Sequence, residues 1–215
     1  MSDHARFPPS GADRWLHCGY SVKMAPFYKS TDNAASINGT NHHTIGSMHL
    51  ENGTEPSDPK MRMYTNHVRE SAEGGILFIE RKVIIVPDLC DGTADAIALH
   101  PDHGHVIDLK WGKSAVHADC SQLKTYGVGV VKEFNLDKDF PMRQTIVQPN
   151  GSTGWPLKHW DTTAGDLLKF YSEKIIPAIE IGLSPNPKAV PGSWCFWCPV
   201  KFHCQAYLIT HGKKK

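Results

Sequence analysis

The chain has 215 residues, 40% of them hydrophobic and 21% charged, which suits a folded domain and excludes a disordered one. Its formal net charge is +1, so no overall field attracts or repels nucleic acid, and any affinity for DNA must reside in a local site. Apolar runs such as Val83-Ile84-Ile85-Val86 are too short to span a bilayer, the first six residues read as no secretory signal, and Lys213-Lys214-Lys215 reads as a solvated end.

In chain order, Ser10 follows Pro8-Pro9 and is placed to cap a short helix with Trp15 and Leu16 on its apolar side; Cys18 closes the segment. Residues 34 to 51 read as a second helix. There Gly39-x3-His43 sets a glycine and a histidine one turn apart on one face, the glycine permitting close backbone approach and the imidazole reaching past it toward a sheet. A lone histidine in that position is more often a packed core residue. His42 and His49 read as exposed, and Asn52-Gly53 ends the helix. A further helix is expected near residues 59 to 70, and a strand over 76 to 86. Glu80 and Arg81 interrupt that strand. Glu80 either joins a site or pairs with Arg81 on an exposed face, and the structural role is the simpler reading.

Two strands follow, Gly92-Thr93-Ala94-Asp95-Ala96-Ile97 and Val106-Ile107-Asp108-Leu109-Lys110-Trp111, joined through the turn-rich His100-Pro101-Asp102-His103-Gly104-His105. Alternation places Asp108 and Lys110 on one face and Ile107 and Leu109 on the other. Asp95 on the partner strand is expected to meet them. Three charges set in apolar strands are costly unless they pair or hold a metal. The three histidines of the turn could suggest a zinc hydrolase, but they lack a helix and a glutamate base at the right spacing, so an exposed turn is expected.

Residues 119 to 132 read as a helix with Gln122 and Tyr126 on one face, and 142 to 147 as a strand. Asn150 to Gly154 reads as a loop. Thr163-x-x-Asp166 resembles a capping box ahead of the apolar stripe Leu167, Leu168, Tyr171, Ile175 and Ile179. This order of elements predicts an α/β domain with a mixed central sheet.

Near the C-terminus stand Cys195-x2-Cys198-x5-Cys204. In a reducing cytoplasm, the expected location, cysteines serve as ligands or buried thiols rather than disulfides. Three at this spacing point to a metal centre, with Cys18, Cys90, Cys120 and His203 as candidates for the fourth ligand. Trp194, Phe196, Trp197 and Phe202 are expected to form a dry shell around it. A single Cys-x2-Cys step favours an iron–sulfur cluster over zinc, the alternative.

Taken together, Gly39-x3-His43, Gly92-Thr93-Ala94-Asp95, Ile107-Asp108-Leu109-Lys110, Gln122-x3-Tyr126 and the split cysteines resemble the RecB-like branch of the PD-(D/E)XK nucleases over nearly the whole chain. The likeness is to phage-type exonucleases in particular, and to the iron–sulfur members such as the CRISPR-adaptation nucleases and AddB. The resemblance implies a restriction-endonuclease-like core, a mixed β-sheet flanked by helices. It makes residues 1–215 one nuclease domain, with 34–182 as the core and 1–30 together with 186–215 as the cluster-binding part. It implies a metal-dependent DNA exonuclease of phage recombination, repair or replication, in the host cytoplasm; the alternative is a catalytically inactive DNA-binding module with a structural metal site. By resemblance the catalytic residues are Asp95, Asp108, Lys110, Gln122 and Tyr126. Mg²⁺ or Mn²⁺ would be held by His43, Asp95, Asp108 and the Leu109 carbonyl, and a 4Fe-4S cluster by Cys18, Cys195, Cys198 and Cys204, leaving Cys90 and Cys120 as small buried residues. DNA is the expected partner, contacted by a few of Lys113, Lys124, Lys132 and Arg143. No membrane is involved, and a second copy of the chain or a single-strand-annealing or recombination protein is a candidate further partner.

Overall fold

The computed structural model describes residues 5–28 and 34–211; the expectations for the first residues and for Lys213 to Lys215 lie outside the described residues. Five strands form one mixed sheet in the order β1 (Ile76–Val86), β2 (Cys90–Leu99), β3 (Gly104–Leu109), β4 (Pro141–Val147) and β5 (Leu157–Thr163). Neighbours run antiparallel except β3 and β4, which are parallel. A parallel pair needs a crossover, and α5 (Ser121–Glu133) supplies it. Every residue of β3 is buried, as a central strand covered on both faces requires.

One face of the sheet packs against α3 (Ala34–Glu51) and α4 (Pro59–Ser71), burying Leu50, Met61, Tyr64 and Val68 on Ala96, Ile107, Leu109 and Val147. The other face meets α5, α1 (Ala12–Trp15), α2 (Gly19–Met24), α6 (Ala164–Phe170) and α7 (Ile176–Leu183), with Val83, Ile97, Val106, Val128, Leu167 and Ile179 in a common core. A short helix, α8 (Gln205–His211), closes the described chain.

Several local expectations change on folding. Ser10 caps nothing: the chain makes a 3-10 turn over Pro9–Gly11 before α1, with no side-chain cap. The third strand begins at Gly104, so His105 lies buried in the sheet rather than in the turn, while His100 and His103 stack on each other at 4.2 Å. Residues 157 to 163, unassigned from sequence, form edge strand β5. The Thr163 capping box does form, its hydroxyl accepting from the Asp166 amide at 3.1 Å. The apolar stripe after it is core, but the helix opens into a π-helical turn over Tyr171–Ile175. Pro177, two residues later, has no amide to continue the regular ladder.

Gly39 does not serve close approach, since a side chain there would meet nothing within 4 Å. The packed glycine of α3 is Gly46, where an added Cβ would come within 2.9 Å of the Tyr64 ring.

Candidate active site

The ladder between β2 and β3 ends at Ala96 and Ile107. Just beyond it the Leu109 amide donates to Asp95 Oδ2 at 2.7 Å instead of to the partner backbone. A carboxylate thus takes the place of a ladder hydrogen bond where the strands part. Leu109 enters the site in this way through its N–H. Asp95 Oδ2 also lies 3.0 Å from His43 Nδ1, which α3 carries across the top of the sheet.

Asp108 is 2% exposed, and Gln122 Nε2 of α5 donates to its Oδ1 at 3.2 Å. Lys110 Nζ lies 2.6 Å from Asp108 Oδ2 and pairs its charge with that buried oxygen. Tyr126, one turn beyond Gln122, is 6% exposed and its hydroxyl faces the Gln122 amide. Gly92 makes room for it: a side chain there would fall 2.8 Å from Pro9 and 3.2 Å from the Tyr126 ring. Asp95, Asp108, Lys110, Gln122, Tyr126 and His43 are therefore gathered in one place.

Glu80 joins them, contrary to the structural role expected of it. Its carboxylate lies within 4.8 Å of ligand atoms of His43 and Asp95, while Asp108 stands outside that tight group. Ile79 pairs with Ala96 and Arg81 with Ala94, so Glu80 faces Asp95 across the sheet, but at φ 47 it occupies the left-handed region that only glycine enters freely. Arg81 pairs with Glu133 instead. The sequence did hold a signal: a glutamate interrupting an apolar strand, opposite an aspartate that does the same.

The electrostatics are those of crowded carboxylates. Desolvation, and after it the charge of Asp95, pushes the Glu80 carboxyl up to about 7 although the residue as a whole is exposed. Burial raises Asp108 above its ordinary range, and Lys110 only partly offsets this. Burial disfavours charge on His43 and Lys110, but the neighbouring aspartates outweigh it and hold both pKa values above normal. Burial and Asp108 keep Tyr126 protonated. Imidazole and carboxylate donors in this arrangement suit a hard divalent cation, which would supply the positive charge the cluster lacks.

Beside the site a cleft is lined by Asn38, Trp111, Gly112, Lys113 and Asn150. His42 is half-buried, not exposed, and stacks on Trp111 at 3.8 Å; His49 is half-buried too, bonded to Thr54. Of the basic residues expected near DNA, Lys113 lies at this cleft. Lys124 sits over the Trp160 ring, Lys132 contacts the Ile85 carbonyl and Arg143 pairs with Asp161.

Apart from this site, Cys18, Cys195, Cys198 and Cys204 line one recess with Tyr20, Val190, Val200 and Tyr207. The Val190 amide donates to Cys18 Sγ at 3.4 Å. Cys90 and Cys120 lie elsewhere, Cys90 buried in the main core. The aromatic shell is not the expected one. Phe196, Trp197 and Phe202 are 64%, 70% and 70% exposed, and only Trp194 is half-buried. The Cys-x2-Cys turn points its thiols inward and so turns the neighbouring side chains out.

A five-stranded mixed sheet between two helical layers, with an acidic pocket where two strands part, defines an α/β domain with a candidate metal-binding site. The family model described as "Protein of unknown function (DUF2800)" matches residues 4–73 and 60–211, and the chain belongs to that family. Among solved structures the chain is similar to one titled "Crystal structure of SSO0001", with 16% identity over 94% of this chain and 86% of that one and a TM-score of 0.43. Among the described residues no helix is long and apolar enough to cross a membrane.

Proposed function

We propose that the protein is a metal-dependent DNA nuclease that hydrolyses phosphodiester bonds, with exonuclease action favoured. The observation that carries this reading is the convergence of His43, Asp95 and Glu80 beside the Asp108–Lys110 pair at the parting of β2 and β3. Asp95, His43 and Glu80 would hold Mg²⁺ or Mn²⁺, and Asp108 offers a buried carboxylate oxygen beside Lys110. Such an ion, when bound, polarises a phosphate and acidifies a coordinated water. Lys110 is placed to orient the attacking water and to neutralise charge that develops on the phosphate. Gln122 fixes the Asp108 carboxylate, and Tyr126 supports Gln122 from beneath. His42, Trp111 and Lys113 offer a stacking surface and a cation where a strand would approach.

The cysteine recess supports an iron–sulfur cluster. Four cysteines from both ends of the chain around one recess suit such a cluster or zinc, and the single Cys-x2-Cys step favours the cluster. The amide donated to Cys18 Sγ is the kind of contact that stabilises a thiolate ligand.

The test is digestion of end-labelled single- and double-stranded DNA with Mg²⁺ or Mn²⁺, alongside an absorbance spectrum of the purified protein. Shortening that needs metal and is lost in Asp108→Asn supports the reading. DNA binding without cleavage under either metal would overturn it in favour of an inactive DNA-binding module.

A further inference from the structure

On the face of the sheet covered by α4, away from Asp108 along β3, three imidazoles meet that the nuclease reading does not use. His67 comes from α4, His105 from β3 and His159 from β5, and each offers a nitrogen within 4.8 Å of the others. Alternation on β3 puts His105 on the side away from Asp108, with Ile107 and Leu109. The His67 ring lies 5.8 Å from that of His105 and 5.6 Å from that of His159, neither pair in a parallel stack.

Two observations separate this cluster from three histidines packed by chance. The His67 Nε2 atom is buried and has no hydrogen-bond partner. A buried nitrogen without a partner costs free energy that packing does not return, and a ligated ion would remove the cost. In addition the Thr145 hydroxyl bridges the other two rings, 2.6 Å from His105 Nε2 and 2.8 Å from His159 Nδ1. Such a contact fixes the orientation and tautomer of both rings. The nearest cation on this face, Arg143, is neutralised by Asp161.

We propose that His67, His105 and His159 form a binding site for a transition-metal dication of the zinc class, separate from the acidic pocket. A purely imidazole donor set suits Zn²⁺, Co²⁺ or Ni²⁺ and gives Mg²⁺ or Ca²⁺ no oxygen to bind. Three protein ligands leave a coordination position for water, and the exposed His159 on the edge strand opens a path for the ion. The ion would tie α4 to both β3 and β5.

The test is titration of the purified full chain with Co²⁺ as a spectroscopic probe, comparing the wild type with His159→Gln. The difference between the two isolates the triad, whatever the cysteines and Asp95 bind. The expected difference is one equivalent of cobalt with ligand-field absorption free of sulfur-to-cobalt charge transfer. Affinity at the triad should fall on the order of 100-fold or more in the variant. His67→Gln should lose the same signal and Asp95→Asn should keep it. Far-ultraviolet circular dichroism checks that each variant is folded. Identical wild-type and His159→Gln titrations in folded protein would overturn the proposal, as would a difference signal dominated by sulfur charge transfer.

Discussion

The two faces of the sheet carry opposite chemistry on the same strand. Toward α5, β3 presents Asp108 among crowded charges; toward α4 it presents His105, whose pKa burial pushes down to about 3 so that it stays neutral. The end of β3 near Asp108, where α3 adds His43 and β1 adds Glu80, gathers more negative charge than it can neutralise, with Glu80 strained and two carboxyls held above their normal range. The cluster around His105, nearer its start, gathers uncharged nitrogen. One strand thus offers carboxylates with a single imidazole at one end and imidazoles alone near the other. Ions of different hardness would sort themselves between the two sites.

The sharpest way to break this contrast is to remove the charge at its centre. Asp108→Asn or Lys110→Ala should lower metal-dependent DNA cleavage by at least about 100-fold with the fold retained, measured as initial rates beside a circular dichroism spectrum. Full activity in either would refute the acidic face as the reacting one. On the proposed cluster, the purified protein should absorb brown, and Cys198→Ala should bleach that colour and lower the melting temperature by roughly 5–10 °C, since ligation energy at such a site is also folding energy.

A pH series sharpens the same contrast. Asp108 and Glu80 both have folded-state pKa values above their unfolded ones, so the folded state holds more protons between about pH 4 and 7. Their contribution is present at the acid end and is lost as pH rises. His43, raised above its normal value, adds a loss of the same sign near neutrality. His105, His67 and His159, whose pKa values burial lowers, act in the opposite sense over an overlapping window, so the carboxylate contribution is read as a difference between two proteins. In chelator, the melting temperature of Glu80→Gln relative to the wild type should rise by roughly 3 °C from about pH 4 to 7, and saturating Mn²⁺ should reverse that gain. A difference that stays flat or falls across the window would contradict the crowded-carboxylate account.

The smallest expected effect is the most selective. Glu80→Gly relieves a left-handed residue and removes one of the crowded carboxylates. It should stabilise the metal-free protein by about 1 kcal/mol while weakening Mn²⁺ binding about tenfold, read by denaturant melts and calorimetry. Loss of stability together with unchanged affinity would return Glu80 to a structural role.

Much of the frame was legible because its signals are periodic. The strand over 76 to 86, the alternation that separates Asp108 from Ile107, and the helix over 34 to 51 all follow from spacing. What stayed hidden depends on tertiary context. Residues 157 to 163 are half polar, and only the ladder offered by β4 makes them a strand. Glu80 interrupts its strand visibly in the sequence, but the left-handed backbone that accompanies its place beside Asp95 does not show there. Gly39 looked like the close contact because it precedes His43, whereas Gly46 meets Tyr64. The histidine triad comes from three elements with unrelated spacings, and no linear motif joins them.

The recess shared by Cys18 and the three late cysteines has a consequence for how the chain is made. Every residue of the acidic pocket, from His43 to Tyr126, leaves the ribosome before Cys195 does. The sheet and its carboxylates can therefore assemble while the nascent polypeptide is still tethered. Phe7 and Trp15 can dock on that sheet early, but Cys18 meets the other cysteines of its recess only once translation has delivered them.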